Sequence, residues 1–332
     1  MEKEKRILEE AIVIDALSPF LMAPPDDTLI EYLKKVPGYG VTCLHTTACG
    51  CLDFFQKAAE ATIKWNLAIE RTEELMGVGS VEDIRKAKTE KKLAIILGTQ
   101  NLDMIGSDIS LLGIFEKLGW KIVQLAYCGQ NLCASGGAEP VDSGLTKFGK
   151  SVVEELNRLH MLIDLSHCSP KTIMETLEVS KDPVSLTHTG PRQRLNHWRN
   201  HNDEVLKAVA QGGGVIGIIA FSNFIKDKPP VTLDDYVNNI EYVVGLVGID
   251  HVGIGSDTSP TLLRKDYVVL KKAFPEVFEG PFDYGETAPK GMEDHSCVPK
   301  LTKSLAEQYS DQEVKKLLGG NWFRLFKEVW QK

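Results

Sequence analysis

At 332 residues and 43% hydrophobic content, the chain is long enough for one large α/β domain and needs no second. Its 38 basic and 46 acidic residues leave a formal charge of −8, which excludes the basic surface that nucleic acid or an anionic membrane selects. Seven cysteines, an odd number without framework spacing, read as reduced thiols of a cytoplasmic protein; no signal peptide, membrane span or lipid-anchor tail is read.

Taken in order, the first buried-strand pattern is Ile12–Asp15, stopped by Ser18 and Pro19. Asp27 and Thr28 cap a short helix to Lys35, Gly40–Thr46 reads as strand two, and Leu52 to Leu75 as a long amphipathic helix. Ser80 opens a helix through Thr89, and Leu93–Gly98 is strand three, with Thr99, Gln100 and Asn101 at its end. A helix from Ile109 to Leu118 leads to strand four, Lys121–Tyr127. The Gly-rich stretch from Ser135 to Gly144 has no periodicity and reads as a long loop on the functional side. A helix over Lys147–Leu159 precedes strands five and six, His160–Leu165 and Pro183–His188. Asn202 and Asp203 cap a helix to Ala210, Gly212–Gly214 breaks it, and Val215–Ile219 is strand seven. Leu233–Val247 is helical, and His251–Asp257 is strand eight with a carboxylate at its end. The stretch from Leu262 to Asp294 is poor in pattern and reads as an excursion over the active end. A capping box at Ser310 and a terminal amphipathic helix from Asn321 to Trp330 follow.

Eight apolar runs alternating with helical segments predict a (β/α)8 TIM barrel rather than a doubly wound sheet, as one domain over 1–332 with an excursion at about 260–295. Strands five and six each run into a histidine, His167 and His188, at the same end. Barrels build metal sites there, because strand ends hold ligands rigidly while loops admit substrate. Either histidine alone reads as a hydrogen-bonded strand-end residue; the shared position favours a ligand pair. Asp257 is a third strand-end group, and His45, Cys49 and Cys51 are weaker donors close in sequence. His45 reads as a packed strand residue, and His295 and Cys297, in the excursion, have no pattern behind them that would favour their reaching over the mouth.

The run Phe148–His167, with Leu186–His188, Arg199–Asn200, Gly253–Asp257 and Gly319–Arg324, resembles the membrane (renal) dipeptidase family, peptidase family M19, over nearly the whole chain. The resemblance implies a metallo-dependent hydrolase barrel with two zinc ions that cleaves dipeptides. It makes His167 and His188 ligands of one zinc, Arg199 the holder of the substrate carboxylate, and Asp257 the acidic residue ending strand eight. The chain departs from that pattern in three places. Asp15-Ala-Leu-Ser-Pro19 stands where the family has a His-x-Asp pair of ligands, Gln100 stands for the bridging glutamate, and Tyr127 for a substrate-binding histidine. The variant segments Gly98–Asn101 and Tyr127–Asn131 resemble a divergent bacterial branch of the family that lacks the same pair.

A neutral glutamine offsets two dications less well than a carboxylate, so the expected cofactor is one zinc, not two. The expected metal ligands are His167 and His188 with Gln100 or Asp257. Asp257 and Tyr127 are read as catalytic, and Arg199, Asn200 and Tyr127 as contacts to a small amide or dipeptide-like substrate bearing a free carboxylate. The competing expectations are a binding barrel that has lost the site, and a metal-free lyase or isomerase using Asp257 and Tyr127. No macromolecular partner beyond a second copy is expected, dimers being common for this kind of barrel.

Overall fold

Nine parallel strands organise the computed structural model, which describes residues 2–20, 23–50, 52–260, 264–278 and 280–331. They are β1 Ile14–Asp15, β2 Cys43–Thr47, β3 Leu75–Gly77, β4 Leu93–Thr99, β5 Trp120–Gln124, β6 Leu162–Asp164, β7 Ser185–Thr189, β8 Val215–Ile218 and β9 Val252–Ile254. Eight of them close a barrel, with β1 hydrogen-bonded to both β2 and β9, and β2 to β4. The ninth, β3, lies outside, along β4. The long helix read to Leu75 stops at Arg71, because Thr72 turns extended and frees the next residues to pair as β3.

The strands are short and buried on both faces, as a parallel sheet covered by helices requires. Inward-facing residues near the strand starts, among them Ile14, Cys43, Ala94, Ile122, Leu162 and Val215, pack into one apolar cluster. The C-terminal helix Asn321–Trp330 closes that end with Trp322, whose indole donates to the Ile254 carbonyl at 3.0 Å. Toward the other end the lining becomes polar and buried, through His45, Thr47, Gln100, Gln124, Asp164, Thr187 and His188. One end of the barrel is thus a packed plug and the other a floor for chemistry.

Two expectations about the mouth change. Strands four and eight of the barrel, β5 and β9, end earlier than the sequence suggests, so Tyr127 lies three residues past Gln124 and Asp257 three past Ile254. Asp257 adopts a left-handed backbone (φ 58°), which turns the chain into the excursion. The excursion is not patternless: it contains the helices Arg264–Ala273 and Pro275–Phe278, which bring Phe274, Val277 and Phe278 over the opening. Their signal is weak in sequence because these short helices bury only Tyr267, Val277 and Phe278 against the barrel and leave Val268 and Val269 exposed.

Candidate active site

Adjacent strands β6 and β7 deliver the two histidines. His188 is in β7, and His167 follows β6 by three residues; their Nε2 atoms face each other at 3.0 Å. Both rings are buried, and burial, followed by the nearby Arg199 charge, pushes both imidazoles well below their ordinary pKa. They are therefore neutral, the form that ligates a metal.

The orientation of His188 follows from its neighbours. Thr187 donates its hydroxyl proton to Asp164 Oδ2 (2.7 Å), so its oxygen accepts from His188 Nδ1–H (2.7 Å), leaving the Nε2 lone pair toward His167. Asp164 is itself held by Ser166 Oγ (2.6 Å) and the Thr187 amide (2.8 Å). A carboxylate, a hydroxyl and an imidazole in series form the outer-shell support that fixes metal-ligating histidines. Sequence reading gave Asp164 and Thr187 no role, although both lie beside the histidines in the Asp164–His167 and Thr187–His188 runs.

Two nitrogens on one zinc, each about 2.0–2.1 Å from it, lie roughly 2.9–3.4 Å apart at tetrahedral to right-angle geometry. The imidazole pair fits one ion on that measure. A second ion finds no comparable seat: strand one offers Leu17, fully buried, and Pro19, and Asp15 turns away to Ser256 N (2.8 Å) and His295 Nε2 (3.1 Å). Among the described residues no three of His, Cys, Asp and Glu come together as a ligand set, so Asp257 stands apart from the pair. Gln100 is buried at the end of β4 and gives its amide N–H to Thr47 Oγ1 (2.8 Å).

His45 lies deeper. Its Nδ1 bonds the Ala16 carbonyl at 2.7 Å, burial pushes its pKa down to about 4, and its Nε2 lies over Gly98, where an added Cβ would come within 2.4 Å. It is a packed strand residue, as read. Cys49 is buried with its thiol pushed up to about 12 by that burial, unsuited to act as a thiolate; Cys51 lies outside the described residues. His295 meets Asp15, Ser18 and Tyr32 and is buried, so it braces the first strand and does not reach over the mouth.

Arg199 and Asn200, read as substrate contacts, are both hydrogen-bonded to main-chain carbonyls. Arg199 is 1% exposed, and its two terminal nitrogens donate to the carbonyls of Ser166 (2.5 Å) and His188 (2.6 Å). It ties the two histidine-bearing strand ends together and does not line the cavity where a substrate carboxylate would sit. Asn200 is fully buried and donates to the carbonyls of Leu195 and Phe224, both at 2.9 Å, which fixes its loop. Sequence patterning does not register carbonyls arriving from other strands, so the polar run 196–201 gives no sign of this burial. Arg199→Lys is expected to lower stability by about 2–4 kcal/mol in urea unfolding, since one ammonium cannot span both carbonyls. A raised KM at unchanged stability would instead restore the clamp.

A cavity of about 230 Å³ opens beside the pair, with Tyr127, Phe221, Asp257, Phe274, Phe278 and Tyr284 in its walls. Tyr127 stacks on His167 with ring centroids 4.1 Å apart, so the same ring walls the cavity and covers a candidate ligand. Asp257 is half-buried there; burial raises its carboxyl pKa to about 7, against the pull of Arg199 and with a push from Asp15. A carboxyl balanced near neutrality in an apolar cleft suits proton transfer.

A closed parallel barrel with an imidazole pair and a carboxylate at its mouth defines the class, a (β/α)8 barrel with its candidate site at the C-terminal ends of the strands. Residues 54–264 and 278–332 match the family Membrane dipeptidase (Peptidase family M19), and the chain belongs to that family. It is 30% identical to Dipeptidase tcpJ of Claviceps purpurea (strain 20.1) over 253 residues, 75% of this chain and 54% of that protein. The Uncharacterized dipeptidase C965.12 of Schizosaccharomyces pombe (strain 972 / ATCC 24843) is also 30% identical, over 72% of this chain and 53% of its own. The chain thus spans about half the length of the curated relatives it matches. The crystal structure of an amidohydrolase from Pseudomonas aeruginosa is 32% identical, with TM-score 0.89 over the whole of both chains.

Proposed function

We propose that this protein is a metal-dependent hydrolase of a small amide, with one zinc ion held by His167 and His188. The observation that carries the reading is the pair of neutral imidazoles with facing Nε2 atoms 3.0 Å apart. Membership of a family of metallopeptidases supports metal dependence; the replaced strand-one ligands favour one ion over two. When bound, the ion would polarise the scissile carbonyl and lower the pKa of a coordinated water toward ~7.

The rest of the chemistry belongs to the chain. Asp257 takes the proton from attacking water and returns it to the leaving nitrogen, a role matched to a pKa of about 7. Asp164 and Thr187 hold His188 in the tautomer that presents Nε2. Arg199 fixes the separation of the two strand ends. Tyr127 packs against His167 and, with Phe274, keeps bulk water from the ring. Gln100 is the neutral donor left at the end of β4 for a third position. The described cavity walls offer no lysine or arginine to a substrate carboxylate, which favours a small amide without a free acid. A reducing compartment suits the six described cysteines, all free thiols.

The test is purification after zinc supplementation, metal analysis, and turnover on dipeptide amide and N-acyl amide libraries before and after chelation. About one equivalent of zinc and chelator-sensitive cleavage are expected. Less than about 0.3 equivalents, or cleavage that survives chelation, would sink the reading and favour the metal-free alternative.

A further inference from the structure

The cavity walls have a definite electrostatic character. Five aromatic rings face it, those of Tyr127, Phe221, Phe274, Phe278 and Tyr284. Two carboxylates accompany them: Asp257 in the wall, and Glu293 at the exposed rim, anchored by the Gly291 amide at 2.8 Å. Among the described residues no lysine, arginine or histidine lines the space. Arg199, whose charge acts on Asp257, is sealed behind the carbonyls of Ser166 and His188.

Such a cavity discriminates by charge. Aromatic faces carry negative potential and attract cations, while carboxylates in an apolar setting repel anions over a short range that water screens poorly. The whole chain, at a formal −8, adds a field of the same sign. A ligand carboxylate would lose hydration there and find no cationic partner among the described walls, only the hydroxyls of residues such as Thr258, Ser259 and Thr287, a cost not offset by packing. A ligand ammonium would meet ring faces and two acceptors.

We propose that the cavity beside the imidazole pair takes a substrate carrying an amine cation on an apolar or aromatic body, its ammonium seated between the rings of Tyr127, Phe221, Phe274 and Phe278 and the carboxylates of Asp257 and Glu293. This deepens the hydrolase reading and rests on it only for the word substrate; the binding of the cation stands on the walls alone. The aromatic contributors on the two excursion helices, Phe274 and Phe278, make that segment the specificity element of the site.

The experiment is calorimetric titration of the full chain at pH 8 and low salt with benzylamine, benzyl alcohol and benzoate, which share a ring and differ in charge. Asp257, with its pKa near 7, is ionised under these conditions. Benzylamine is expected to bind at least about tenfold more tightly than benzyl alcohol, and benzoate most weakly. Glu293→Gln is expected to weaken benzylamine about threefold or more while leaving benzyl alcohol unchanged, and Phe274→Ala to weaken both. Benzoate binding as well as benzylamine, equal affinity of the charged and uncharged compounds, or no binding of any of the three would each overturn the proposal. Cation-selective binding in a protein without zinc-dependent turnover would sink the hydrolase reading and leave this one standing.

Discussion

Replacing His188 with alanine is expected to lower bound zinc from about one equivalent to below ~0.1 and to reduce turnover at least ~10³-fold. Among the described residues no three of His, Cys, Asp and Glu gather as a ligand set, and the single imidazole left after the change does not hold a dication against buffer. The substitution also opens a void in a fully buried position, at a cost of about 1–3 kcal/mol, so loss of function alone is ambiguous. Thr187→Val resolves this. It keeps the ring and its packing but removes the oxygen that accepts from Nδ1 and donates to Asp164. Zinc affinity is expected to fall about 10–100-fold, with circular dichroism unchanged. A His188→Ala protein that keeps its zinc and its activity would show that the facing nitrogens are only a hydrogen bond.

Asp257→Asn is expected to make the protein more stable and less active at once. The folded carboxyl titrates near 7, well above the ~3.9 of an unfolded aspartate, so the fold disfavours its charge. For a raised carboxyl, stability falls as pH climbs from about 4 to about 7 and stays lower above that window. Three pH units correspond to about 4 kcal/mol by linkage, and half-burial with solvent screening brings the expected gain at pH 8 to about 1–2 kcal/mol. The gap between variant and parent should close toward pH 4. Buried His45 and His201, held down to about 4 and about 3 by desolvation, contribute the opposite trend below pH 6.5, but equally in both proteins. Denaturant melts of the pair at pH 5, 6.5 and 8 therefore isolate the carboxyl. Turnover of Asp257→Asn is expected to drop about 10²–10⁴-fold, and the parent rate to rise with pH through about 7 as the base ionises. A variant no more stable at pH 8 than at pH 5, relative to parent, would place Asp257 in water and remove it from the proton path.

This coupling of instability to function explains what the excursion contributes. The helices Arg264–Ala273 and Pro275–Phe278 lay Phe274 and Phe278 over the opening, and that apolar cover desolvates Asp257. The same helices thus set both the pKa of the carboxylate and the charge preference of the cavity.

Strand-ending runs such as His160–Leu165 and Pro183–His188 were legible in the chain because a buried parallel strand needs a short apolar run, and a histidine stopping two such runs marks one end of a barrel. The barrel and the placing of both histidines at one end of adjacent strands were therefore determined by the sequence itself, whereas Asp257, read inside the last strand, lies three residues beyond it. Arg199 was not, since a guanidinium's role depends on which acceptors approach it, and those acceptors are main-chain carbonyls of Ser166 and His188 that carry no side-chain signature. The Asp164–Thr187–His188 series, the helices over the mouth and the absence of cations among the described cavity walls were likewise decided only by tertiary structure. Each arises from groups distant in the chain meeting in a space where desolvation and charge act over a few ångströms, and residue order alone does not encode those distances.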